Sequence, residues 1–157
     1  MTTIAGPSAY HDSYNGWDIM ERIRYDFPVT CIGLDEKAES FDAYRGLLER
    51  GTIYLNTTRR SPMPGSRSEA MLMGMCVVTL NNHDADKYIQ GGVTGFLAED
   101  EKELRELLEY VYANPKVAQG VGIAGAMAAR EHFSVERFTR DWLALLDKVT
   151  GGEHANK

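Results

Sequence analysis

Residues 51–80, GTIYLNTTRRSPMPGSRSEAMLMGMCVVTL, decide the fold. TIYLN (52–56) and CVVTL (76–80) are short apolar runs of strand length, and neither alternates apolar with polar residues. A loop crowded with turn formers, TTRRSPMPGS (57–66), and a helix, RSEAMLMG (67–74), lie between them. Continuous apolar strands separated by helices are the pattern of a parallel sheet covered on both faces. The unit extends in both directions. Upstream, GWDIMERIRYD (16–26) puts Trp17, Ile19, Met20 and Ile23 on one helical stripe, and Pro28 begins the run PVTCIG (28–33). Ser40 then caps a helix carrying Phe41, Tyr44, Leu47 and Leu48, which Gly51 ends. Downstream, the pattern predicts a helix over DADKYIQGG (84–92) and a short strand in GFLAE (95–99).

The last third is helical. Asp100 and Glu103 form a capping box ahead of Leu104, Leu107, Leu108 and Val111. A second helix starts at Asn114-Pro115 and runs to about Glu131, with proline at its first position. Ser134 caps a third, whose stripe is Phe138, Trp142, Leu145, Leu146 and Val149. The expected organisation is a loop or frayed strand over 1–14, one domain over 15–150 and a disordered tail over 151–157.

Composition excludes several classes. A chain of 157 residues holds one domain, and 43% hydrophobic with 25% charged residues is the balance of a soluble globular protein. The net charge of −6 lacks the basic footprint of a nucleic-acid binder. Cys31 and Cys76 lie in apolar runs without CxxC spacing, so the chain is read as reduced and cytoplasmic, with no zinc site. No run approaches the ~18 apolar residues of a membrane span, and the N-terminus lacks the features of a signal peptide. His11, His132 and His154 have no metal-ligand spacing, and no metal site is assigned. No GxGxxG follows a strand, which counts against a dinucleotide-dependent dehydrogenase, and no nucleophile elbow surrounds Ser61 or Ser66.

Ligands of open α/β sheets bind beyond the carboxyl ends of the strands, where helix N-termini present free N–H groups. The loop 56–68 is the outlier there, with Arg59, Arg60 and Arg67, several hydroxyls and a small-residue turn suited to an anion. Glu69 sits one turn into the following helix, where a carboxylate can accept two hydrogen bonds from a diol such as a ribose. His83, with Asp84 and Asp86, follows the next strand and is a candidate contact for a sugar. The competing readings are solvated loop arginines, an ordinary helix-start acid at Glu69 and a simple turn at His83.

These residues also carry a resemblance. SPMPGSRSEAMLMGMCVVTLNNHDADKYIQGGVTGFLAED (61–100) resembles the segment of group 1 glycosyltransferases of the GT-B fold in which two glutamates precede an Ala-Met, Gly and Val-Val pattern and a Gly-Val-x-Gly-x-Leu turn. Here those positions read Glu69-Ala70-Met71, Gly74, Val77-Val78 and Gly92-Val93-Thr94-Gly95-Phe96-Leu97. The likeness extends over roughly residues 16–149, through CIGLDEKAESFDAYRGLLERGTIYLNTT before and HFSVERFTRDWLALLDKV after.

The resemblance implies the C-terminal, Rossmann-like half of a GT-B enzyme, with extra C-terminal helices. The implied activity is transfer of a sugar from a nucleoside-diphosphate sugar, a UDP- or GDP-sugar, with retention and without a bound metal or other cofactor. Glu69 corresponds to the second motif glutamate, which holds the donor ribose. Met63, Gly65 and Ser66 stand where backbone N–H groups meet the sugar and distal phosphate, with Arg67 beside them; Pro64 has no N–H to give. Amide dipoles aimed at the departing diphosphate would stabilise its developing charge. The chain departs from the pattern at three points. Ser61 stands in the place of the first motif glutamate, Asn15 stands where a basic residue is expected, and one domain cannot supply the acceptor half of the cleft. An N-terminal acceptor domain or partner chain is therefore implied. The alternatives are a non-catalytic nucleotide-sugar-binding or interaction module and a sugar-nucleotide epimerase.

Overall fold

The computed structural model describes residues 3–7, 14–60 and 64–151. In chain order the elements are β1 (Ile4–Pro7), α1 (Trp17–Asp26), β2 (Val29–Ile32), α2 (Phe41–Glu49), β3 (Ile53–Asn56), α3 (Gly65–Leu72), β4 (Cys76–Leu80), β5 (Phe96–Ala98), α4 (Glu101–Ala113), α5 (Pro115–His132) and α6 (Val135–Thr150). The five strands form one parallel sheet in the order β2-β1-β3-β4-β5. The fold is the α/β, Rossmann-like arrangement expected.

Alternate strand residues divide between two cores. Ile4, Cys31, Ile53, Leu55, Cys76 and Val78 meet α1, α4 and the start of α5. Ala5, Tyr54 and Val77, one residue out of phase, meet α2, α3 and the end of α5. Burial on both faces explains why the strands read as unbroken apolar runs. Three N-caps form as the sequence indicates: Ser40 accepts from Ala43 N (3.1 Å), Asp100 from Glu103 N (2.8 Å) and Ser134 from Arg137 N (3.1 Å). The Glu103 carboxylate accepts from Glu99 N, one residue earlier than a standard capping box.

Two segments differ from the sequence reading. Residues 4–7 form an interior strand between β2 and β3, paired on both sides. Four residues containing Gly6 and Pro7 are too few to display a period, so only the neighbouring strands identify them. The helix expected over 84–92 is a single 3-10 turn, Ala85–Lys87. Only Ala85 and Ile89 of that segment belong to the buried apolar set, and Gly91-Gly92 follows at once, so no helical stripe exists to bury. Residues 8–13 of the expected N-terminal loop or frayed strand, and residues 152–157 of the expected disordered tail, lie outside the described residues.

Candidate functional site

Helices that return a chain between parallel strands start at the carboxyl edge of the sheet, so the first turns of α1, α2, α3 and α4 gather there with the loops that precede them. In a sheet of this order the connections reverse direction between β1 and β3, the place where doubly wound folds bind ligands. At that reversal, Gly16 opens α1 with φ 66°, and a Cβ at this position would overlap the Thr57 carbonyl oxygen. Thr57 Oγ1 donates to the Asn15 carbonyl at 3.2 Å. The start of α1 is thereby pressed against the end of β3.

Beneath this edge lies a buried polar layer. Asn56, Thr57, Thr58, Arg67, Thr79 and Asn82 are all buried. Asn56 Oδ1 accepts from Thr58 N at 3.2 Å and from Thr79 Oγ1 at 3.4 Å. Asn82 Nδ2 donates to the Thr58 carbonyl at 2.6 Å, and Arg67 Nη1 donates to Asn82 Oδ1 at 2.9 Å. The loops after β3 and β4 are thus locked together by side chains. Sequence reasoning missed Asn56 and Asn82; the one signal was a run of polar residues directly after each apolar strand.

Among the three arginines of the loop, Arg67 is 3% exposed, and burial lowers its pKa. It is therefore not a solvated surface charge. Arg59 reaches the Asp18 carboxylate through both terminal nitrogens, at 2.5 and 2.8 Å, and its charge is shared with α1. Arg60 lies over the Tyr14 ring, 5.1 Å from its centroid. Gly65 and Ser66 form the first turn of α3, where N–H groups have no acceptor within the helix, and no atom of the described residues crowds the Gly65 α-carbon. Ser61 and Met63 lie outside the described residues.

Glu69 is half-buried, five residues into α3, and its Oε2 accepts a hydrogen bond from Tyr44 Oη of α2 at 2.8 Å. Burial, and then the bond to Glu69, raise the Tyr44 phenol pKa far above its ordinary value, so the hydroxyl is a fixed donor. Tyr54 Oη, fully buried on β3, has no partner within hydrogen-bond geometry among the described residues. Burial dominates its raised pKa, opposed by the nearby Ser66 and Asn56 side chains. Asn56 Nδ2 is likewise buried without a partner among the described residues. His83 is exposed and left-handed, with φ 48°, at the carboxyl end of β4.

A cleft of about 330 Å³ opens beside these loops, lined by Ile19, Arg59, Leu80, Asn82, Asp100 and Glu101 among others. Its acidic rim, with Arg59 already paired to Asp18, disfavours a diphosphate, whereas the first turn of α3 suits one. No group of three or more His, Cys, Asp or Glu side chains that could hold a metal ion occurs among the described residues.

With this geometry in view, the comparisons give the class. Residues 16–144 match the family model described as "Glycosyl transferase-like", so the chain belongs to that glycosyltransferase family. No curated protein matches the sequence.

Solved structures refine the assignment of fold. Anabaena HepE, crystallised with UDP and glucose, superposes with a TM-score of 0.77 at 18% identity, covering 94% of this chain and 48% of that one. Sucrose-phosphate synthase from Thermosynechococcus elongatus gives 0.75 at 15% identity, covering 96% and 46%. The C-terminal domain of the group 1 glycosyl transferase LpcC from Francisella tularensis gives 0.71 at 11% identity, covering 85% and 87%. The fold is that of one half of a group 1, GT-B enzyme, and the chain spans about half the length of the first two structures. Among the described residues, no helix is long and apolar enough to cross a membrane.

Proposed function

We propose that this chain is the donor-binding half of a glycosyltransferase that takes a sugar from a nucleoside-diphosphate sugar. The observation that carries this reading is the Glu69 carboxylate, held at the carboxyl edge of the sheet one turn beyond the open first turn of α3. Glu69 accepts the ribose hydroxyls. The Gly65 and Ser66 N–H groups, with Met63 from the preceding loop, meet the diphosphate and sugar. Buried Arg67 adds positive charge through a guanidinium that has no route to full hydration. His83, in the loop after β4, touches the sugar. Transfer proceeds with retention and without a bound metal, the amide dipoles and Arg67 stabilising the leaving diphosphate. UDP is the first donor base to test, because HepE was crystallised with UDP and with UDP-glucose; GDP is the second.

The acceptor is held by a second Rossmann-like body. Helix α6 supports this: none of its residues is buried, and Phe138, Trp142, Leu145, Leu146 and Val149 expose one apolar stripe. Such a stripe on a structured helix is a surface awaiting a partner. The two buried thiols fit a reducing, cytoplasmic setting.

The test is calorimetric titration of the chain with UDP, GDP and ADP, in parallel with Glu69→Ala. One nucleotide is expected to bind, and the substitution to weaken it by ~1–3 kcal/mol, the range for a lost charge-assisted pair of hydrogen bonds. Sugar transfer at an ordinary enzyme rate by the chain alone would contradict the need for a second body. Failure of all three nucleotides to bind would favour a second reading, a non-catalytic module, for which Ser61 in place of the first motif glutamate already speaks.

A further inference from the structure

We propose that Tyr44 is a positioning residue for the donor ribose, its hydroxyl fixing the Glu69 carboxylate in the orientation that receives the sugar diol. The inference rests on the ribose reading of Glu69 given above. Glu69 Oε2 is engaged by Tyr44 Oη at 2.8 Å, while Oε1 has no hydrogen bond among the described residues. A glutamate on a helix has three side-chain torsions to order, and a carboxylate that must be immobilised on binding gives back part of its affinity as lost rotamer freedom. The bond from Tyr44 orders those torsions beforehand.

Tyr44 is itself well placed to be rigid. It lies on the fourth position of α2, anchored by the Ser40 cap and packed against the core that contains Leu48, Tyr54, Ala70 and Met71. Its phenol stays protonated at neutral pH, because burial and the adjacent carboxylate both oppose ionisation, so Glu69 always meets a donor there. A carboxylate oxygen accepts more than one hydrogen bond, so Oε2 is not lost to the ligand when Tyr44 occupies it. The pair also ties α2 to α3, which makes the second crossover helix part of the site.

The test is a binding cycle on Tyr44→Phe, Glu69→Ala and the double variant, titrated with UDP and with 2′-deoxyuridine diphosphate, each variant first shown to be folded by its thermal transition. Tyr44→Phe is expected to weaken UDP about three- to tenfold, within the net contribution of a single hydrogen bond. It should weaken the deoxy nucleotide less and add nothing in the Glu69→Ala background. Equal loss for both nucleotides, or an undiminished loss with Glu69 absent, would show a merely structural role and overturn the proposal. If Glu69→Ala weakens UDP and Tyr44→Phe leaves it unchanged, the ribose reading survives and the positioning role fails. If UDP does not bind, or Glu69→Ala leaves its affinity unchanged, both fail together.

Discussion

Single residues behave here according to what surrounds them, and the cysteines are the simplest case. Burial pushes the Cys31 thiol up to about 11 and Cys76 to about 12, because a thiolate in either apolar strand would lose its hydration. At pH 8 a thiol reagent is expected to label neither cysteine in the folded chain and both after denaturation. Stoichiometric labelling of the native protein would show that β2 or β4 opens readily. Glu69 stood out in the sequence as a candidate by its position after a turn-rich loop. Tyr44 was legible only as one apolar member of a helical stripe, since nothing in a stripe reveals that a hydroxyl meets a carboxylate 25 residues away. Arg67 was visible as a charge, but its burial follows from the approach of Asn82, which spacing does not encode.

Among the elements, α5 shows how packing can reverse a propensity. Its glycines would ordinarily weaken a helix, yet a Cβ at Gly122 would overlap the Gly74 carbonyl oxygen, and one at Gly125 would lie 2.6 Å from the Thr94 carbonyl oxygen. The helix backbone rests directly on the loops before β4 and β5. Gly120, in the same helix, is exposed with open space around it. Gly122→Ala is therefore expected to destabilise by ~1–3 kcal/mol through overpacking, and Gly120→Ala to stabilise by ~0.5–1 kcal/mol. Urea unfolding of the two variants checks the contrast; equal effects would mean that α5 can shift away from β4 without cost. The caps at Ser40, Asp100 and Ser134 are local motifs, which is why the starts of three helices could be read directly.

Across the whole molecule, an ion-pair chain laces α1 to α4, starting at the carboxyl edge and running the length of α1. Asp18 pairs with Arg59 (2.5 Å) and Arg22 (3.0 Å), Arg22 with Glu101 (2.6 Å), and Arg105 with Glu101 (3.5 Å) and Asp26 (2.6 Å). Arg59 foremost, with Arg22, holds the Asp18 carboxyl well below the usual range, and Arg22 lowers Glu101. Carboxyls depressed in the folded state stabilise it above their unfolded values, roughly pH 4, and that contribution is lost as pH falls towards the folded values. Thermal melts between pH 2 and 7 are expected to show an acid-side loss that Asp18→Asn flattens. The effect should shrink in high salt, because the pairs are partly exposed. An unchanged acid limb in the variant would assign the loss to other carboxylates.

The sequence by itself determined the class of fold and most of the helix starts, and it singled out the turn-rich loop that we propose binds the donor. Those are set by short-range rules: the length of apolar runs, caps three residues long and turn residues in a row. Tertiary structure alone decided that Ile4–Pro7 is an interior strand, that residues 84–92 make one turn instead of a helix, and that Asn56, Asn82, Arg67, Tyr44 and Glu69 share one edge of the sheet. Each of these depends on partners distant along the chain. A strand too short to show a period is specified by its neighbours, and a buried polar side chain by the group that satisfies it.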